Sequence, residues 1–138
     1  MNRVVLDTNI IVSALLVPAG TEASVLLLAL RGDIELHVSA PVLDEYEEVL
    51  RRPRFKLEQH RIEAVLKGLR KVGHIVRPME TLSISTHESD NRFLECAEAA
   101  EADYLVTENA RHFPQTHQKT KIVSGQRFLD ILAESAGE

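Results

Sequence analysis

The stretch Arg3 to Leu16, RVVLDTNIIVSALL, constrains the fold more than any other part of the chain. Val4, Val5 and Leu6 form a short β-branched-rich apolar run, Asp7-Thr8-Asn9 interrupts it, and Ile10, Ile11, Ala14 and Leu15 follow at helix-compatible spacing. That order reads as buried strand, polar corner, helix. In open α/β sheets ligands bind in the crevice beyond the carboxyl ends of the strands, so a carboxylate ending a first strand stands at the chemical edge of the fold. Asp7 is the first candidate for function. Helix capping is the competing role, because Asp, Thr and Asn are all good N-caps, but one polar residue would suffice for it. Thr8 and Asn9 take supporting parts: one caps the helix and the other orients the Asp7 carboxylate.

The alternation continues to the end of the chain. Pro18-Ala19-Gly20 breaks the first helix, and a second, Glu22 to Leu30, is closed by Gly32-Asp33. Ile34 to Val38 reads as a strand. Ser39 caps a helix with Pro41 in its first turn and Val42, Leu43, Tyr46, Val49 and Leu50 at helical spacing, ending before Pro53. Glu58 to Val72 is the most periodic segment, with Ile62, Val65, Leu66, Leu69 and Val72 along one face. A short strand, His74 to Val76, follows. Ser85-Thr-His-Glu88 has the form of a capping box opening a helix through Phe93, Leu94, Ala97 and Ala100. Asp103 to Thr107 and Lys121 to Val123 are strands, and Gln126 to Ala133 is the last helix. Strands separated by helices imply a mostly parallel, five-stranded sheet covered on both faces, in one domain spanning residues 1–138.

Composition limits the chemistry. With 44% hydrophobic and 27% charged residues the chain is globular, and no apolar run reaches the roughly 20 residues of a membrane span. Asp7 and Asn9 interrupt what would have to be the apolar core of an export signal, so a cytoplasmic protein is expected. Cys96 is alone, which excludes an intrachain disulfide and a cysteine-based zinc site, and its neighbours Leu94 and Ala97 suggest a core residue. The net charge of −5 hides a strong segregation: Arg51 to Arg77 carries nine basic residues against Glu58 and Glu63. A basic arm beside an acidic pocket would produce that pattern, and so, in part, would a solvated helix face.

Helical geometry indicates which acids face inward. On the helix after Ser39, Asp44 and Glu48 point away from the apolar stripe while Glu45 and Glu47 flank it, and geometry leaves those two level. On the helix after Ser85, Asp90 shares a face with Phe93 and Ala97, although an acid in a first turn also suits the helix dipole.

Three motifs in this order, VVLDTNIIVSALL, SAPVLDEYEEVLRRPRF and SDNRFLECAEAAEADYLVTENARHFP, resemble the PIN-domain family, specifically its toxin-antitoxin toxin branch. The likeness extends over nearly the whole chain. It implies an α/β/α sandwich whose acids, from separate strands and helices, converge on Mg²⁺ or Mn²⁺ for RNA hydrolysis. Position by position, the family's first acid is Asp7, its second is Glu45 in DEYEEVL and its third is Asp90 in SDNRFL. The fourth position, after the strand ending at Thr107, is an Asp in most of the family; here Asn109 stands there. A neutral amide is a poorer ligand for a hard cation, so a second metal is in question. Glu108 is next door, but adjacent residues leaving a strand are expected to point apart.

Clustered carboxylates favour holding protons unless a divalent cation makes their ionisation favourable, and such a cation can activate a water against a phosphodiester. The resemblance therefore implies a metal-dependent endoribonuclease, the toxin of a toxin-antitoxin system, with an antitoxin partner and, since related domains commonly dimerise, a homodimeric assembly. The basic residues Arg51, Arg52, Arg54 and Lys56, extended by Lys67, Arg70 and Lys71, are expected to attract RNA beside the acids. The rival is a catalytically weakened regulator of the same fold that binds RNA or protein. An aspartyl-phosphate phosphatase is a remoter one, because the second Asp expected two residues after the first is Asn9.

Overall fold

A computed structural model describes residues 1–136. The central strand is β1 (Arg3–Leu6), and Val4, Val5 and Leu6 have no exposed surface. It is flanked by parallel strands, β2 (Glu35–Val38) on one side and β4 (Tyr104–Val106) on the other. Outside these lie β3 (His74–Ile75), parallel to β2, and β6 (Thr120–Val123), parallel to β4. A short edge strand, β5 (Thr116–His117), pairs antiparallel with β6 and completes the order β3-β2-β1-β4-β6-β5. The sheet thus has six strands where five are expected. The sixth is two residues long, too short for any periodicity, and joins β6 through a turn with Gln118 in the left-handed region, at φ 55°.

The helices are α1 (Thr8–Leu16), α2 (Thr21–Arg31), α3 (Ala40–Leu50), α4 (Gln59–Val72), α5 (Glu88–Ala100) and α6 (Gly125–Ala136). The chain builds outward from β1 to β3 and then returns across the sheet, through α5, to β4 on β1's other side. Right-handed crossovers therefore place α5 on the face opposite α1 and α2. It packs there on β1, β2 and β4, while α2 packs against α1, α4 and α6. Burial on both faces explains why β1 is apolar at successive positions instead of alternating.

Two local expectations are corrected. Ser85 does not cap α5: His87 occupies the cap position, the helix begins at Glu88, and the Ser85 hydroxyl accepts from the His87 amide instead. Thr8 does not cap α1, since Asp7 is in the cap position and its side chain makes no capping bond. The apolar face of α4 (Ile62, Val65, Leu66 and Leu69) is buried within the single chain against α2 and α3, so this helix makes no demand for a second copy.

Candidate active site

The return of the chain from β3 to β4 makes the gap between β1 and β4 the point where strand order reverses, the usual place for a ligand in an open α/β sheet. Asp7 and Thr107 extend these two strands by one residue each, the Asp7 amide donating to Val106 O and the Thr107 amide to Val123 O. Just beyond them opens a cleft of about 360 Å³. Asp7, Thr8, Asn9, Glu45, Asp90, Glu108 and Asn109 line it, with Arg52, Arg54 and Phe55 at its basic side.

Asp7 is 7% exposed, and Thr107 Oγ1 donates to its Oδ2 at 2.7 Å while Asn9 Nδ2 donates to the same oxygen at 3.3 Å. Asn9 also reaches Thr107 Oγ1, at 3.4 Å, and accepts from the Glu108 amide, so one residue ties both strand ends together. Burial pushes the Asp7 carboxyl up to about 6, and Asp90 adds to the rise; the Thr107 hydroxyl and the amides of Thr8 and Asn9 only partly offset it.

Glu45 reaches the cleft from α3. Tyr46, fully buried, donates its hydroxyl to Leu6 O at 2.6 Å and so pins α3 to the end of β1 beside Asp7. The α3 acids that sequence geometry leaves level are separated here. Glu47 points outward to Arg51 and Arg70, at 3.2 and 3.1 Å, and Glu45 lines the cleft. Burial raises the Glu45 pKa, with Glu48 and Asp90 contributing and Arg52 opposing.

Asp90 stands in the first turn of α5, half-buried, its pKa raised by burial and eased by Ser85, His87 and His112. Ser85 Oγ lies 3.3 Å from both Asp90 Oδ2 and the His112 carbonyl, and its single proton serves one at a time. Asn91 is buried and fixes this loop: its Oδ1 accepts from the Ile84 and Ser85 amides, and its Nδ2 donates to Ser85 O. Sequence reasoning passed over Ser85, read as a cap, and Asn91 and Tyr46, which carry no chemistry of their own.

Asn109 is at the rim, its amide donating to Thr107 Oγ1 at 3.0 Å. Glu108 lines the same cleft, contrary to the expectation that the two point apart. The segment leaves β4 directly into a 3₁₀ turn, Ala110–His112, so strand alternation has ended before Glu108. Glu22 of α2 does not line the cleft but contacts Glu108, and burial and that contact raise its pKa.

The basic residues divide. Arg52 and Arg54 line the cleft, Arg52 also pairing with Glu48 and Arg54 lying over the Phe55 ring at 4.8 Å. Arg51 is held by Glu47 and Glu63, and Arg70 by Glu47, so their charges are spent locally. Lys67 lines a separate shallow groove with Gln59, His60 and Glu63, and neither Lys56 nor Lys71 lines the cleft.

Among the described residues no three His, Cys, Asp or Glu side chains are placed to hold a metal ion together. The donor chemistry nonetheless fits a hard divalent cation. Three carboxylates with raised pKa values line one cleft, and the Thr8 hydroxyl beside them is buried without a hydrogen-bond partner. Mg²⁺ characteristically takes only one or two carboxylates and keeps several waters, which suits an open set better than a cage. Cys96 offers no alternative nucleophile, because burial pushes its thiol up to about 12.

A mostly parallel α/β domain with acids gathered at the strand-order switch point defines the class. A PIN domain profile matches residues 3–111, and the chain belongs to the PIN domain family, whose members are generally metal-dependent nucleases. An uncharacterized protein of Methanocaldococcus jannaschii is 28% identical over 103 residues, a match spanning 72% of this chain and 66% of that protein. The crystal structure of VapBC2 from Rickettsia felis bound to a DNA fragment from their promoter contains a chain of similar fold. Its TM-score is 0.58 at 18% identity, over 88% of this chain and 98% of that one.

Proposed function

We propose that this chain is an endoribonuclease dependent on Mg²⁺ or Mn²⁺ and that it serves as the toxin of a toxin-antitoxin pair. The observation that carries the reading is the meeting of Asp7, Glu45 and Asp90, from three distant segments, in one cleft where each acid's pKa is raised. Acids arranged this way weaken the apo fold, and a site that keeps them has a use for the charge.

Asp7, Glu45 and Asp90 would hold the cation, which when bound supplies the charge that keeps the carboxylates ionised, acidifies a water and steadies the leaving oxygen. Thr107 and Asn9 fix the orientation of the Asp7 carboxylate, and Ser85 does the same for Asp90. Arg52 and Arg54 offset the acids at one side of the cleft, where an RNA phosphate would otherwise be repelled. The fold shared with a chain of VapBC2 supports an antitoxin partner.

Asn109 favours a second reading, a binding regulator with little turnover, because an amide stands at the rim where most of the family has an acid. Incubating the chain with a mixed RNA pool separates the two. Fragments formed with Mg²⁺ or Mn²⁺, and abolished by EDTA and by Asp7→Asn, support the nuclease; RNA retained intact under all conditions supports the regulator.

A further inference from the structure

Two histidines meet beside the cleft, although 24 intervening residues separate them in sequence. His87 precedes α5, and its carbonyl accepts from the Asp90 amide at 3.0 Å; His112 ends the 3₁₀ turn, and its amide donates to the Asn109 carbonyl at 2.8 Å. Each imidazole therefore stands one short turn from a cleft-lining residue. The rings are stacked, with centroids 4.9 Å apart and planes at 26°, and both residues are exposed.

Packing does not account for this pair. An exposed stack contributes little to a core, and ordering two side chains has an entropy cost. The surrounding loop is nevertheless held firmly: Ser85 Oγ accepts from the His87 amide and stands within reach of both Asp90 and the His112 carbonyl, and buried Asn91 clamps the Ser85 backbone. With one face of each ring turned to its neighbour, an outer face remains for something flat. Single-stranded RNA is bound largely through splayed bases stacked on aromatic rings, histidine included.

We propose that His87 and His112 form a stacking platform for one base of single-stranded RNA, next to the phosphate cleaved at the acids. The inference rests on the nuclease reading and adds how substrate is gripped. Arg52 and Arg54 hold phosphate on the Glu45 side, while the imidazole pair holds a base on the Asp90 side. Stacking is tolerant of sequence, with purines favoured by their larger face.

The test is fluorescence anisotropy of a labelled single-stranded purine RNA with the full chain, in EDTA at low ionic strength so that no cleavage competes. His87→Ala/His112→Ala is expected to weaken binding about tenfold, within the range for loss of one stacked base. His87→Phe/His112→Phe should retain near-wild-type affinity, since it keeps ring faces and removes charge. RNA carrying an abasic nucleotide at successive positions should lose affinity at one position, and at that position the Ala variant should equal wild type. Unchanged affinity in the Ala variant, or equal loss in the Phe variant, overturns the platform and leaves the nuclease reading standing. A wild-type chain that binds no RNA in EDTA overturns the platform, and the cleavage assay with Mg²⁺ or Mn²⁺ judges the nuclease reading separately. Should the Ala variant fail to fold, the abasic scan decides alone: loss at one position supports the platform, and uniform loss or none overturns it.

Discussion

Asp7→Asn should make the metal-free protein more stable, in a way that depends on pH. Burial raises the Asp7 pKa from 3.8 to about 6, so the folded chain holds this proton more tightly than the unfolded one. As pH rises from about 4 to about 6 the unfolded state has lost its proton while the folded state must give its own up, and stability falls; above pH 6 the penalty is constant. At about 1.4 kcal/mol per unit it comes to about 3 kcal/mol at pH 7.5, shrinking to about 1 kcal/mol at pH 4.5. Asn has the same shape, and its carbonyl can accept the bonds that Thr107 and Asn9 now donate to Oδ2, so little is lost in exchange. For a chain of this length about 3 kcal/mol corresponds to roughly 10 °C in Tm. Thermal unfolding by circular dichroism in EDTA, for wild type and variant across pH 4.5 to 8, measures it. Equal Tm at pH 7.5, or a gap that does not narrow toward acid, would refute the electrostatic account of the cleft.

Arg52→Ala/Arg54→Ala should weaken RNA binding across sequences and lower the salt slope by about 1.4, two contacts at about 0.7 each for a single strand, measured by anisotropy against salt. Arg51→Ala/Arg70→Ala should change the slope less, because neither side chain lines the cleft. Asn91→Ala strands two backbone amides in a part-buried loop and should cost about 2–3 kcal/mol in urea denaturation; a loss below about 0.5 kcal/mol would mean the loop is held otherwise.

The layout of this fold was legible because its strands are buried on both faces and its helices carry long apolar stripes; Val4 to Leu6 and Ile62 to Leu69 signal themselves by composition and period. Short elements were not. β5 is two residues long, and the cap of α5 turned on whether Ser85 bonds the helix or Asp90, a choice between two local hydrogen bonds that sequence does not rank. Asp7 stood out because strand geometry pushes it to the sheet edge. Helical periodicity left Glu45 and Glu47 level and only the family resemblance chose Glu45; the contacts that turn Glu47 outward, to Arg51 and to Arg70 23 residues further on, are not visible in the period. The charge of the basic segment was visible in the same way, but not which of its residues line the cleft: packing α3 against α4 pairs Arg51 with Glu63 and Arg70 with Glu47.

Direct titration of Mn²⁺, read by the paramagnetic resonance signal of the free ion, tests most simply whether these acids form a cation site. Wild type should remove Mn²⁺ from solution at pH 7.5, and Asp7→Asn and Asp90→Asn, both folded, should each bind at least tenfold more weakly. Equal Mn²⁺ binding by all three chains would contradict the assignment of the cleft.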